Sequence, residues 1–326
     1  MPALQRWWPE PRQGVSAVRI VLHDHVPDDG REYMAAAAGD SPFAAGTALP
    51  PGAPLESPTP AWVHPHLAPE PQWLLDLDIP IVAETADAVV IDKPHGLPST
   101  PNGGLLRATA QSLLRVRRDE PNLVAVHRLD RWTGGLLVLS RRPETRRFLH
   151  LQFQRRQVAK TYHAVAADLP WLPVGTPRTV KLRMVKIKDD PQVRVVNSPA
   201  VPKSVMTTTV VEKLPELPEV PEVPEVRGEH TTQCTQGTQS TQDKAGYRLY
   251  RLRPTTGHTH QLRVVMNHLG APIVADNTYP VHRPMDADER PEVPLQLRAV
   301  ELSMRLDATS ETVHHLDISR SPRQYS

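Results

Sequence analysis

Four consecutive residues, His127-Arg128-Leu129-Asp130, stand between two apolar runs and lead into Arg131-Trp132-Thr133-Gly134. The runs, residues 123–126 and 135–140, have the length and content of core strands. An aspartate at the mouth of a loop between two such strands is held by both, which suits a nucleophile or a general base. The same placement suits an aspartate that caps its loop by accepting from the amides of Trp132 or Thr133. Histidines offer a second chemistry. His64-x-His66, His258-x-His260 and His314-His315 have spacings that a metal-dependent hydrolase would use. Arginine outnumbers lysine 30 to 8, a compositional bias that also swells histidine. Familiar nucleotide and hydrolase signatures are absent: no G-x-x-x-x-G-K-S/T, G-x-G-x-x-G, H-E-x-x-H or G-x-S-x-G.

Charge distribution says more than net charge, which is only +2. Residues 105–163 carry 13 Arg/Lys against four Asp/Glu, and 206–245 carry three against seven. Arginine presents a planar fork that suits phosphate and stacks on bases. A basic stripe built from Arg115, Arg117, Arg128, Arg131, Arg155 and Arg156 would bind a polyanion; a solvated helical face is the plainer alternative. One cysteine, Cys234, excludes a disulfide framework or a multi-cysteine metal site and fits a reducing compartment. No run of 18 apolar residues exists, so no membrane span is expected. The first residues lack an apolar signal core, so secretion is not expected.

Elements that could position the loop follow from periodicity. Residues 1–80 read as a proline-rich, poorly ordered extension. One strand is expected at 14–22, followed by nine prolines between positions 42 and 71. Order is expected from residue 81 to the end. Strands are read at 81–83, 88–91, 123–126, 135–140, 160–166, 205–211, 247–252 and 295–304, with a hairpin over 181–196. Helices are read at 108–118, 143–158 and 259–269, the last with Thr259 as N-cap and Gly270 past its end. Residues 212–245, a Leu/Val-Pro-Glu repeat and a Thr/Gln-rich tract, read as a surface insertion. Together these give an α+β fold, a mixed and largely antiparallel central sheet with flanking helices.

The segment VHRLDRWTGGLLVLS resembles the catalytic motif of the pseudouridine synthases, H-R-L-D-x-x-T-S-G-L-L-L-L, with the leading histidine of the RluA type. Three more segments align in the family's order. VVIDKPHGLP, from Val89, is similar to V-V-N-K-P-A-G-L-P. VAKTY, from Val158, is similar to V-x-K-x-Y. TGHTHQLR, from Thr256, continuing to GAPIVAD at Gly270–Asp276, is similar to T-G-R-T-H-Q-L-R…G-x-P-I-x-G-D.

The resemblance implies an isomerase that converts uridine to pseudouridine in structured rRNA or tRNA. The N1–C1′ bond breaks, the uracil turns, and it rejoins the ribose through C5. No cofactor, metal or energy input is implied. Asp130 matches the family's catalytic aspartate, which must be ionised to act, and Arg263 the arginine that pairs with it. Tyr162 matches the tyrosine that stacks on the target base, and Arg128 the arginine that enters the stack where the base leaves. His127, Thr133, His258, His260, Gln261 and Leu297 are implied as further substrate-binding positions.

Three residues depart from the pattern. His258 stands for arginine, Gly134 for serine or threonine, and Arg298 for a common histidine. The usual N-terminal S4-type module is not recognisable, and residues 14–22 are read as its remnant. The resemblance further implies a cytoplasmic monomer that binds RNA and no membrane. A catalytically silent RNA-binding relative is the alternative that the departures keep open.

Overall fold

The computed structural model describes residues 8–36, 43–102, 104–215, 246–286 and 288–319. The chain divides into two compact units, one of Met1–Asp76 and Thr100–Val124, the other of Leu77–Ser99 and Ala125–Ser326.

In the first unit, β1 (Val18–Leu22), β2 (Tyr33–Ala35), β3 (Ala48–Leu49) and β4 (Thr59–Val63) form an antiparallel sheet in the order β1-β4-β2-β3. The expectation of a poorly ordered extension is therefore corrected. These strands are only two to five residues long, so the prolines fall mostly in the turns between them. Pro60 is the exception, in the middle of the sheet, and its carbonyl accepts from the Ala36 amide just past the end of β2. Alternation along β4 buries Thr59, Ala61 and Val63, and the last two join Leu22, Val26, Tyr33, Ala35 and Leu49 in a small core. The unit also holds α1 (Gln72–Leu75) and α2 (Ala110–Arg117).

Two buried polar anchors tie the unit's separated pieces together. The Glu70 carboxylate accepts from the amides of Leu106, Arg107 and Ala108 at 2.9, 3.0 and 2.6 Å. Arg115 donates to the carbonyls of Leu123 and Gly14 and to the Ser16 hydroxyl. Gly14 meets α2 so closely that a Cβ there would lie 2.2 Å from the Ser112 carbonyl oxygen. Arg115 is thus structural and drops out of the expected basic stripe.

The second unit is built on an eleven-stranded sheet. Its strands are β5 (Ile81–Glu84), β6 (Ala88–Lys93), β7 (Val124–Ala125), β8 (Gly134–Ser140), β9 (Ala159–Ala167), β10 (Arg178–Lys186), β11 (Val193–Val195), β12 (Val205–Lys213), β13 (Tyr247–Pro254), β14 (Leu297–Met304) and β15 (His314–Asp317). Nine run in the order β11-β10-β12-β13-β9-β14-β8-β6-β5, with β15 on β14 and β7 on β8. The pairings along this path are antiparallel except that of β14 with β8. A mixed, largely antiparallel α+β sheet is therefore what forms.

Helix α3 (Pro143–Gln154) packs Leu149 into a core with Val90, Leu136, Val138, Leu302 and Met304. It ends four residues short of the expected 158, because Arg156 turns to φ +58°. Helix α4 (Gln261–His268) begins two residues later than expected, and its N-cap is His260, not Thr259. The insertion read at 212–245 starts later, since β12 runs through Lys213 and its amide ladder with β13 extends to Leu214. Residues 216–245, Cys234 among them, lie outside the described residues. No helix among the described residues is long and apolar enough to cross a membrane.

Glu70→Gln should loosen the first unit specifically. It weakens three buried acceptor contacts at once, so the unit should lose about 1–3 kcal/mol. Amide exchange at 106–108 should accelerate while the amides of β8 and β9 keep their protection; exchange measured by mass spectrometry checks this.

Candidate active site

The loop between β7 and β8 carries the first candidate. Asp130 is partly buried there, and the Thr133 amide donates to its backbone carbonyl at 3.0 Å, closing a turn. Its carboxylate has no hydrogen-bond or ion-pair partner among the described residues. The loop-capping alternative is thus not realised: the backbone does the capping and the carboxylate is left over.

His127 works as an acceptor. Its Nε2 takes the Val138 amide at 3.1 Å and its ring stacks on Phe153 at 4.4 Å, so it fixes the start of the loop against β8 and α3. Burial, with the charges of Lys160 and His150 adding to it, pushes its pKa down to about 3. Arg128 is exposed, whereas Thr133 is buried at the entry to β8. The two glycines that follow have separate reasons. Gly135 sits at φ +104°, and a Cβ there would lie 2.1 Å from the Ala299 carbonyl oxygen on β14. Gly134 faces the ring of His95.

The second candidate is the turn before α4. His260 adopts the left-handed conformation, φ +55°, which is uncommon for a non-glycine residue and turns the chain sharply into the helix. Its ring meets Tyr279 edge-on, with Nδ1 3.2 Å from the phenol oxygen. Burial lowers the pKa of His260, while the charge of Asp130 opposes that shift. Gln261 is buried and fastens the turn to β12, donating to the Thr208 carbonyl and the Thr209 hydroxyl and accepting from the Thr256 hydroxyl. His258 stays partly exposed beside them.

Arg263, on the first turn of α4, is the place where the expected pairing differs. Its guanidinium forks onto Asp276, with Nε 2.8 Å from Oδ2, and also reaches Asn277 at 3.2 Å. Asp276 is itself saturated by the amides of Thr278 and Tyr279. Arg263 therefore does not ion-pair with Asp130, whose charge reaches it only through space. Burial would lower the pKa of Arg263, but the bond to Asp276 and the charges of Asp276 and Asp130 raise it. Asp276 closes the GAPIVAD motif, and only the fold reveals it as the holder of this arginine.

All ten candidate residues from the sequence line one cleft of about 690 Å³ in the second unit. His127, Arg128, Asp130 and Thr133 come from the β7–β8 loop, Tyr162 from β9, Leu297 from β14, and His258, His260, Gln261 and Arg263 from the start of α4. The pKa of Tyr162 is pushed up by burial and by the charge of Asp130, so the phenol keeps its proton at neutral pH. Arg156 of the expected basic stripe and Lys160 of the VAKTY segment also line the cleft, as do Phe153, Met206 and Thr207, which no motif or spacing marks as site residues. No group of three or more potential metal ligands forms among the described residues.

Comparison with known proteins identifies the class. The family profile for RNA pseudouridylate synthase matches residues 87–268. An uncharacterized RNA pseudouridine synthase of Zymomonas mobilis is 32% identical over 203 residues, 61% of this chain and 77% of that protein. The dual-specificity RNA pseudouridine synthase RluA of Vibrio parahaemolyticus is 30% identical over 233 residues, 68% of this chain and 76% of its own. A human RNA pseudouridylate synthase domain structure superposes with a TM-score of 0.51 at 21% identity, covering 74% of this chain and 82% of that one. The chain belongs to the RluA-type pseudouridine synthase family. It is an RNA-modifying isomerase, which sets aside the metal-dependent hydrolase.

The buried histidines set an acid limit on stability. The unfolded chain protonates a histidine near 6.5, whereas His127 in the fold resists until about 3. Its contribution is therefore complete above pH 6.5 and is lost as pH falls from 6.5 toward 3. His127→Gln keeps an acceptor for Val138 without titrating. It should flatten the fall in unfolding free energy over that window by on the order of 2 kcal/mol, read by urea denaturation at several pH values.

Proposed function

We propose that Asp130 is the nucleophile of the isomerisation and that the cleft around it receives a uridine flipped out of rRNA or tRNA. The observation that carries this is the Asp130 carboxylate, unpartnered and opening on the cleft that Tyr162 and Arg263 share. A nucleophile committed to no internal bond needs no partner displaced before it attacks. Arg263, locked by Asp276, supplies a fixed positive field and no competing bond. Attack frees the uracil by breaking N1–C1′. The bond that Asp130 forms to C1′ is broken in turn: the ring rotates, C5 bonds to C1′ and the carboxylate leaves restored, after which C5 gives up its proton and N1 takes one up. Tyr162, protonated at rest, offers a stacking face to the turning base.

Arg128 and Arg156 stand exposed at the rim, where they can hold the flanking phosphates or fill the gap left by the base. The protein works in the cytoplasm as a monomer on this reading.

Asp130→Asn should abolish tritium release from RNA labelled at uridine C5. Because no bond of the carboxylate is lost, stability should stay within about 0.5 kcal/mol of the parent, and RNA binding should persist. More than a few per cent of residual release would remove Asp130 from the chemistry. RNA from a strain lacking the gene, fractionated into rRNA and tRNA, identifies the substrate, and loss of release from both with intact binding would favour the silent RNA-binding relative.

Arg128→Ala and Arg156→Ala should each lower the slope of log affinity against log salt by about 1 if each holds a phosphate. Unchanged slopes would leave these side chains outside the RNA path.

A further inference from the structure

We propose that His95 is a positioning residue for Asp130, fastening the loop that carries it through a hydrogen bond to the Trp132 carbonyl and seated in space that Gly134 leaves open. The inference rests on the assignment of Asp130 above. His95 Nδ1 lies 2.7 Å from the Trp132 carbonyl oxygen. A carbonyl only accepts, so the ring carries its proton on Nδ1. Among the described residues its buried Nε2 has no partner, so the bond to Trp132 is the one polar contact of the ring there. A residue kept for packing alone would carry no such cost, because an apolar side chain fills space without orphaning a nitrogen.

Gly134 and His95 fit each other. A Cβ at 134 would lie 2.6 Å from His95 Nε2 and 2.9 Å from its Cδ2. A side chain at 134 would therefore force the ring to shift. Glycine at 134 thus leaves free the volume that the His95 ring fills.

The rest of the loop is held from the same segment. Ser99 bonds both the amide and the carbonyl of Leu129, at 3.0 and 2.9 Å. Lys93 Nζ donates to the Arg131 carbonyl at 3.1 Å, and Arg131 Nε returns a bond to Gly96 at 2.9 Å. His95 adds the hold on Trp132. Since the Asp130 side chain makes no bond among the described residues, its direction depends on these backbone anchors on either side.

His95→Ala, His95→Asn, Gly134→Ala and the double variant His95→Ala/Gly134→Ala separate anchoring from packing. The carboxamide of asparagine can donate where Nδ1 does. His95→Ala should lower kcat by about tenfold to a hundredfold with KM within about twofold, and amide exchange at Thr133 should accelerate. His95→Asn should recover most of kcat and the slow exchange. Gly134→Ala should lose both stability and kcat, and the double variant should regain melting temperature without regaining kcat. Unchanged kcat and exchange in His95→Ala, failure of His95→Asn to improve on it, or return of kcat in the double variant would each overturn the proposal. Asp130→Asn in the same series keeps the two ideas apart. Activity there removes the nucleophile assignment and leaves His95 to be judged on Thr133 exchange alone.

Discussion

The ammonium of Lys93 is fully buried and donates to three carbonyl oxygens, those of Pro94, Leu97 and Arg131, at 2.9, 2.6 and 3.1 Å. Burial pulls its pKa down to about 7, and the charges of Asp130 and Asp92 resist that pull. A cation placed there joins the turn after β6 to the loop before β8, and the carboxylate at the head of that loop inherits its position. The neighbouring strands obey the same constraint. Arg298 on β14 ion-pairs with Asp92 on β6, both buried. Removing one member of such a pair would strand the other.

A division of labour among charges follows. The expected bond between Arg263 and Asp130 is replaced by a saturated pair of Arg263 with Asp276, so the arginine is held while the aspartate is free. A field source fixed by its own counterion does not need to move when the substrate's charge changes. Tyr162 feels Asp130 through its raised pKa, which ties β9 to the same centre. The left-handed turn at His260 brings the N-terminus of α4 to the cleft, and Gln261 keeps it there through bonds to β12.

The first unit lives under a different limit. Its strands are short and its core small, so polar anchors such as Glu70 and Arg115 carry weight that burial supplies in the larger sheet. Each anchor spans tens of residues along the chain. That is why a proline-rich stretch that looked incapable of a continuous core folds around pieces contributed from 100–124.

Local pattern determined most of the catalytic sheet. Apolar runs such as 135–140 and 88–91 are strands because they are buried on both faces, and Pro143 starts α3 because its ring suits a first turn. Motif spacing determined the site list, and all ten residues converge on one cleft. Only the tertiary structure decided which partner each takes. Asp276 rather than Asp130 holds Arg263, the His127 ring accepts a strand amide, and Gly134 is small because His95 is large. The physical reason is that periodicity and spacing encode which face a residue presents to its own element. A hydrogen bond or a steric fit between residues eleven, thirteen or about forty positions apart is settled only when the tertiary fold brings their elements together.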